Sequence, residues 1–252
     1  MFIPLKDHNP TECKPVVTVA LIGVNVAVFA YELMLGRQLP AFIAAYGAIP
    51  YELTHFTDLV GRYPGSDIVH AAGPAFVPAT LITSMFMHGG VMHIFGNMLF
   101  LWIFGNNVED LLGHVKYLFF YLACGIAAAV AHVAIAPDSP TPTVGASGAV
   151  AGVLGAYLIA YPRARVLTLV FLVVFVQLVN VPAAILLVLW FVMQFFMGLG
   201  SLGAAGGGGG VAWFAHVGGF VAGIVLVGTM APARLKRLRD ARHWQDLQRR
   251  GF

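Results

Sequence analysis

Long apolar stretches, separated by short polar or helix-breaking segments, dominate the chain. A helix needs about 20 apolar residues to cross a bilayer, and Pro or Gly commonly marks its end. The pattern therefore predicts an all-α polytopic membrane protein with six transmembrane helices. The predicted spans are Val16–Leu35, Val91–Val108, Val115–Ala136, Val144–Tyr161, a part of Val166–Gly200, and Val211–Ala231.

The fifth span is the least regular of the six. Val166–Gly200 is 35 residues long and is interrupted by Pro182, so it exceeds one ordinary span. We take Pro182–Leu199 as the span and expect Val166–Val181 to lie at the membrane interface or to pack within the bundle. A hairpin of two helices within the membrane would instead give seven crossings.

Composition supports a membrane protein. Of the 252 residues, 59% are hydrophobic and only 10% are charged, whereas a soluble domain has about 25% charged residues. No charged residue occurs between Val166 and Ala233. Such a chain cannot cover itself with polar surface, which excludes a soluble enzyme and a nucleic-acid-binding module. The two cysteines, Cys13 and Cys124, provide neither a disulfide framework nor a metal site, and we expect no cofactor.

Basic residues indicate the orientation. Seven of the 14 Lys and Arg residues lie between Arg234 and Arg250, directly after the last span. With six crossings and an inner N-terminus, 12 of the 14 lie on the inner side, as the positive-inside rule expects. Seven crossings would separate the tail from the basic loop after the fourth span. We therefore predict one membrane domain over residues 1–252, with residues 1–15 cytoplasmic, 36–90 as a long outer loop, and 232–252 as a basic cytoplasmic tail.

Three of the spans carry polar side chains near one end. The second span has His93 and Asn97 on one helix face, the fourth begins close to Ser147, and the sixth has His216. Because these three spans all run from outside to inside, the four side chains should lie at similar depth, a few ångströms below the outer surface. Polar groups inside a membrane span are costly and are functional candidates by default.

Small residues accompany these polar groups. Gly219 and Gly223 share a helix face with His216, while Ala151 and Gly155 share one with Ser147. Small residues at such spacing let membrane helices approach closely. If the two faces meet, the serine and the histidine come within hydrogen-bond reach.

Together these groups suit acyl-transfer chemistry. Ser147 would be the nucleophile and His216 its general base. Asn97, His93 and the serine's own N–H group could donate to the oxyanion of a tetrahedral intermediate. The only nearby acidic residue, Glu32, belongs to the first span. We therefore predict a Ser–His dyad without a third carboxylate.

Other interpretations fit the single signals. A Gly-x-Ser-Gly sequence often only packs helices, and a buried histidine is often structural. His88, His93 and His216 could bind a metal ion, but no motif completes the ligand set. A transporter would need a polar path across the bilayer, yet the inner halves of these spans are apolar. A non-catalytic binder of membrane segments would use the same groove. The shared depth of three clusters favours catalysis.

At these positions the chain resembles the rhomboid family of intramembrane serine proteases. The resemblance implies a six-helix rhomboid-like bundle that cleaves single-span or polytopic membrane proteins near the outer face of the bilayer. It also implies that Ser147 and His216 form the catalytic dyad, that His93 and Asn97 line the oxyanion hole, and that glycines pack the helices. The motifs are His88-x4-His93-x3-Asn97, Gly145-Ala-Ser147-Gly148 and Ala215-His216-x2-Gly219-x3-Gly223.

The chain departs from the family pattern at two places. Ala151 stands where some members have an aromatic residue that packs on the catalytic imidazole, and no Trp-Arg pair occurs between Gly36 and Gly90. The resemblance further suggests that the glycine-rich Gly198–Gly210 connection lets the fifth span tilt to admit substrate from the side. Since no transit peptide is evident, we expect a prokaryotic cytoplasmic membrane, with no nucleic-acid partner.

Overall fold

The computed structural model describes residues 2–63, 68–172, 175–202 and 212–249. Within these ranges the chain is mainly helical, with two small antiparallel sheets. The helices are α1 (Val16–Met34), α2 (Leu39–Tyr46), α3 (Pro50–His55), α4 (Thr80–Thr83), α5 (Val91–Leu112), α6 (His114–Ile135), α7 (Ser147–Ala160), α8 (Ala183–Leu202), α9 (Trp213–Met230) and α10 (Pro232–Arg249). The strands are β1 (Phe2–Asp7), β2 (Gly61–Arg62), β3 (Val69–His70), β4 (Arg165–Leu172) and β5 (Phe175–Pro182).

The prediction of an all-α polytopic membrane bundle is confirmed. Five helices among the described residues (α1, α5, α6, α8 and α9) are long and apolar enough to cross a membrane. The sixth predicted span is represented by α7, which has only 14 residues. At 1.5 Å per residue it is about 21 Å long, shorter than the roughly 30 Å hydrocarbon core. The count of six crossings therefore stays a prediction.

Helix α7 forms the centre of the bundle. It packs against α5, α6, α8 and α9, and residues 148 to 157 are all buried. A helix enclosed on every side must be apolar on every side, and the sequence of α7 has no charged residue. Phe104 of α5 packs edge to face on Tyr157 of α7, with ring centroids 4.9 Å apart, and Tyr121 of α6 belongs to the same buried core.

Helices α7 and α9 touch through their backbones. A Cβ atom added to Gly219 would overlap the carbonyl oxygen of Gly148, and one added to Gly223 would overlap that of Gly152. Likewise, a Cβ on Gly155 would overlap the carbonyl oxygen of Phe220. On α7, the glycines at this contact are Gly148, Gly152 and Gly155. Of the predicted face of Ser147, Ala151 and Gly155, Ser147 contacts His216 of α9 and Gly155 meets the α9 backbone. Gly148 and Gly152 present their carbonyl oxygens to α9, whereas a Cβ atom on either would point at α6.

The segment after α7 forms a sheet, which the sequence analysis did not predict. Strands β4 and β5 make an antiparallel hairpin, and β1 pairs with the other edge of β4, giving the order β1-β4-β5. Residues 173 and 174 of the connection lie outside the described residues. Val, Leu and Phe favour strands when a pairing partner is available. The N-terminal strand is that partner, with Phe2 opposite Val170 and Asp7 opposite Val166.

The described parts of segment 36–90, residues 36–63 and 68–90, contain helices and strands and brace the chain that leads into α7. Ala48 and Thr143 exchange two backbone hydrogen bonds, with N–O distances of 3.0 and 2.8 Å. Further along, the Gly145 N–H group donates to the Ser84 carbonyl oxygen at 2.9 Å. This loop is therefore tied directly to the residues before Ser147, without the Trp-Arg pair found in some family members.

At the end of the bundle away from Ser147, charged side chains form hydrogen bonds with the free backbone groups of helix ends. The Glu109 carboxylate accepts hydrogen bonds from the backbone N–H groups of Val17 and Thr18, both at 2.8 Å, at the start of α1. In α10, Arg234 donates to the Leu111 carbonyl oxygen at 2.8 Å, and Arg242 donates to that of Ala160 at 2.6 Å. Carboxylates at helix N-termini and cations at C-termini complement the helix dipole. The basic tail is thus a helix docked beneath α5 and α7.

Candidate active site

Ser147 is the first residue of α7, where the chain enters the bundle. Just before it, Gly145 has a φ angle of +133°, a conformation that residues with a side chain rarely adopt. The N–H groups in the first turn of a helix lack intrahelical partners, so the Ser147 N–H group is free to donate to another acceptor. The first turn of α7 is enclosed by the bundle, since residues 148 to 151 are all buried.

His216 faces the serine from the first turn of α9. Its Nε2 atom lies 2.8 Å from Ser147 Oγ, and the residue is only 8% exposed. The backbone contact between α7 and α9 explains this proximity, because Gly148 and Gly219 bring the two helices together directly beside the pair. The spacing in the sequence predicted that these side chains come within hydrogen-bond reach, and the structure brings them together.

The other ring nitrogen of His216 is held by a residue that the sequence analysis did not identify. The Nδ1 atom lies 2.6 Å from Oε1 of Gln194 on α8. An amide oxygen only accepts hydrogen bonds, so Nδ1 carries the proton and Nε2 presents its lone pair to the serine hydroxyl. Glu32, the one carboxylate considered from the sequence, instead accepts from the backbone N–H group of His88 at 3.1 and 3.2 Å.

Two tryptophans flank the imidazole of His216. The ring centroid of Trp190 lies 5.9 Å from it at an angle of 37°, and that of Trp213 lies 6.2 Å away, edge to face. These rings and Gln194 hold the histidine where Ala151 provides no aromatic surface. A detectable signal existed in the sequence, since Gln194 is a polar residue in an otherwise apolar span.

His93 approaches the serine from α5. Its Nδ1 atom accepts a long hydrogen bond from the Gly89 N–H group, at 3.3 Å, so that the ring proton lies on Nε2. A Cβ atom placed on Gly145 would lie 2.8 Å from this Nε2 atom and 3.6 Å from Ser147 Oγ. The histidine thus has a donor next to the serine, and Gly145 is small because the imidazole occupies that space.

Asn97 lies one turn further along the same helix. It is 8% exposed, and its Nδ2 atom has no hydrogen-bond partner among the residues that the structure describes. A buried amide donor without a partner is costly and is available to bind an oxyanion. His88 packs edge to face on His93, with ring centroids 5.2 Å apart.

The metal alternative finds no support in the arrangement of these groups. Across the described ranges, no three His, Cys, Asp or Glu side chains converge as metal ligands would. Gln194 and Ser147, which are poor metal ligands here, occupy the two sides of the His216 ring. The cluster is therefore better suited to proton transfer than to holding a metal ion.

A family comparison decides the relationship of the chain to known proteins. The model of the Rhomboid domain matches residues 77–233, which include Ser147, His216, His93, Asn97 and Gln194. This chain belongs to the rhomboid family. The membership predicted from the three sequence motifs is thereby confirmed.

Curated rhomboids resemble this chain over different lengths. The Bacillus subtilis protein named "Rhomboid protease GluP" is 42% identical over 78 residues, or 31% of this chain and 15% of that protein. The Saccharomyces cerevisiae "Rhomboid protein 1, mitochondrial" is 28% identical over 240 residues, or 89% of this chain and 57% of that protein. A human "Presenilin-associated rhomboid-like protein, mitochondrial" is 33% identical over 97 residues, or 38% of this chain and 25% of that protein. This rhomboid thus spans less than two thirds of each of these relatives.

Proposed function

We propose that this rhomboid is an intramembrane serine endopeptidase that hydrolyses peptide bonds in the transmembrane segments of other membrane proteins. The observation that carries the proposal is the 2.8 Å contact between Ser147 Oγ and His216 Nε2. The backbone contact between α7 and α9 and the Gln194 hydrogen bond both support a fixed geometry for that pair. Membership of a family that includes named proteases supports the same reaction class.

The reaction begins when the Ser147 hydroxyl attacks the substrate carbonyl carbon while His216 Nε2 takes its proton. The carbonyl oxygen becomes an oxyanion, and Asn97 Nδ2, His93 Nε2 and the Ser147 N–H group are the proposed donors to it. The His216 imidazolium then protonates the leaving amine as the C–N bond breaks, which leaves an acyl-enzyme. A water molecule, deprotonated by the same imidazole, hydrolyses the ester and restores the serine.

Substrates in this proposal are single-span or polytopic membrane proteins that enter from the lipid bilayer. Their amides are bonded within a helix, so the scissile segment must be locally extended before attack. We therefore propose that cleavage is favoured where the substrate has small or helix-weakening residues. The cut should fall near the outer end of the substrate span, because Ser147 begins a helix whose first turn belongs to the predicted outer side. The Gly198–Gly210 connection, proposed as the hinge of a side entrance, lies largely outside the described residues, which omit 203–211.

Orientation and location are also part of the proposal. The integral, multi-pass character follows from five long apolar helices among the described residues. The proposed orientation, with both termini cytoplasmic and Ser147 near the outer face, rests on the charge distribution. A prokaryotic cytoplasmic membrane is the proposed location. Relatives include a bacterial protein and proteins named as mitochondrial, so the family does not fix the compartment.

The test is incubation of the purified protein with a model single-span substrate in detergent and in liposomes. We expect cleavage within the outer third of the substrate span, located by mass spectrometry of both products. Ser147→Ala and His216→Ala should each reduce the rate by at least about 10³-fold. Substrate binding without cleavage, unchanged in Ser147→Ala, would replace the protease proposal with a non-catalytic binder.

A further inference from the structure

Gln194 connects the general base to a helix that contributes no reacting group. Helix α8 packs chiefly on α9 and much less on α7. Its opposite side is exposed, as the 48% exposure of Met193 and the 64% exposure of Phe196 show. Gln194 is only 4% exposed and points its amide oxygen at His216 Nδ1. The side chain thus lies on the far side of the imidazole from Ser147.

The chemistry of the amide determines what this contact does. With the oxygen toward His216, Nδ1 keeps the proton and Nε2 can accept the proton of the serine. With the amide reversed, Nδ1 would have to accept from the NH2 group, and a neutral ring would then carry its proton on Nε2. In that tautomer the histidine cannot deprotonate Ser147. A neutral acceptor also avoids the cost of a charge in the membrane interior.

We propose that Gln194 is a positioning residue that holds the His216 imidazole in its catalytic tautomer and makes alignment of the base depend on the docking of α8 against α9. The proposal rests on the proposed function, since it concerns the base of that reaction. Trp190, one helical turn earlier on α8, packs on both His216 and Phe220. Displacement of α8 would therefore remove the hydrogen bond and part of the ring packing together.

The docking of α8 thus couples substrate access to chemistry. A substrate that enters between α8 and its neighbours is cleaved at the full rate only when α8 again holds Gln194 Oε1 at 2.6 Å from His216 Nδ1. Catalysis would then follow closure rather than accompany the open state. A residue that merely fills the core would not link the position of α8 to the alignment of His216 in this way.

The experiment compares three substitutions at one position in the full-length protein. Gln194→Met keeps the size but removes the acceptor, Gln194→Asn is too short to reach the ring, and Gln194→Glu keeps an acceptor of the same reach. We expect Met and Asn to lower kcat by about 10- to 100-fold, below the roughly 10⁴-fold loss caused by a wrong tautomer in a full triad. KM should change less than about twofold, because no substrate contact is lost. Gln194→Glu should retain activity within about tenfold of the wild type.

A spectroscopic measurement reports the tautomer independently of turnover. In protein labelled with 15N at histidine, the His216 ring, assigned by its absence in His216→Ala, should show a protonated Nδ1 and an unprotonated Nε2. Gln194→Met should convert this pattern to a mixture of tautomers. Met193→Leu, at the neighbouring lipid-facing position of α8, is the matched control and should change neither kcat nor the spectrum.

The outcomes separate the inference from the proposed function. If the wild type cleaves substrate and Gln194→Met has the same kcat and the same His216 tautomer, the proposed positioning role of Gln194 is wrong, while the proposed protease activity is supported. If the wild type cleaves nothing, the protease is wrong, and the 15N spectra still decide whether Gln194 sets the tautomer. If the Met variant does not fold, the Asn variant, which keeps an amide at the site, gives the same two readouts.

Discussion

Replacing Gly219 by alanine should separate His216 from Ser147 without removing either group. The added methyl group would overlap the carbonyl oxygen of Gly148, and the Ala128 Cβ atom, 3.3 Å away, limits sideways relief. Helix α9 must then withdraw from α7 by about 1 Å, a displacement that can cost an enzyme about 100-fold in rate. Because His216 lies one turn from Gly219 on the same helix, its 2.8 Å contact with Ser147 Oγ would exceed hydrogen-bond range.

The same change has a cost in stability that can be measured separately. Overpacking in a dense core costs about 1–3 kcal/mol, so the protein should still fold at 25 °C. The matched control is Gly228→Ala on the same helix, because among the described residues nothing outside the adjoining turns of α9 lies within 4 Å of the added Cβ atom. Alanine is the better helix former by up to about 1 kcal/mol, so this variant should match or exceed wild-type stability and retain full activity.

The assay is the turnover of a single-span substrate at saturating concentration, together with thermal unfolding in the same detergent. Gly219→Ala should lose about 100-fold in kcat at temperatures well below its unfolding midpoint, whereas Gly228→Ala should lose nothing. If Gly219→Ala keeps more than half of the wild-type turnover, close contact between α7 and α9 does not set the geometry of the site. An equal loss in both variants would show that any added methyl group on α9 is harmful, and would refute the local explanation.

Three further predictions address the oxyanion donor, the first helix and the long loop. Asn97→Ala should lower kcat by about 10²-fold with a small change in KM, measured in the same cleavage assay, because one buried donor to the oxyanion is lost; an unchanged kcat would exclude that role. Glu109→Ala should lower the free energy of unfolding by about 3 kcal/mol because it leaves buried N–H groups at the start of α1 unpaired. The neighbouring, half-buried Asp110 accepts from the N–H groups of Glu12 and Cys13 near the surface, so Asp110→Ala should cost about 1 kcal/mol. Equal melting temperatures of the two variants would contradict this. Burial raises the pKa of Glu52 in α3 to about 7 from its ordinary 4.5, so the folded state retains a proton and stability should fall as pH rises between these values. Glu52→Gln should remove at most about 3 kcal/mol of that fall, seen as flatter melting temperatures from pH 4.5 to 8; an undiminished slope would assign the effect to another group.

Much of the bundle and of the candidate site could be predicted because the bilayer restricts the length and the direction of each membrane-spanning helix. Once the spans and the direction of each were counted, Ser147 and His216 were expected at the same end of their helices, and their Oγ and Nε2 atoms lie 2.8 Å apart. Small residues beside both of them indicated a close helix contact. The structure has that contact, with Ser147 and Gly155 of the predicted face on α9. The part played by the carbonyl oxygens of Gly148 and Gly152 was not predicted, because a pattern of side chains does not show which backbone groups touch.

The residues that could not be predicted depend on contacts distant in the sequence. Gln194 lies 22 positions from His216, and only the packing of α8 on α9 shows that its amide meets Nδ1. The hairpin of β4 and β5 looked like membrane or interface sequence, since a short apolar run fits a strand or a buried helix equally well. Its pairing with β1 joins segments more than 150 residues apart. The brace between Ala48 and Thr143 likewise has no local signal.

Reaction with a fluorophosphonate tests most directly whether Ser147 is a nucleophile activated by His216. The site of the covalent adduct would be located by mass spectrometry of peptides from the intact protein in detergent. We predict one adduct, on Ser147, formed rapidly in the wild type and at least about 10³-fold more slowly in His216→Ala. An adduct on another serine, or labelling of Ser147 at the same rate without the histidine, would contradict it.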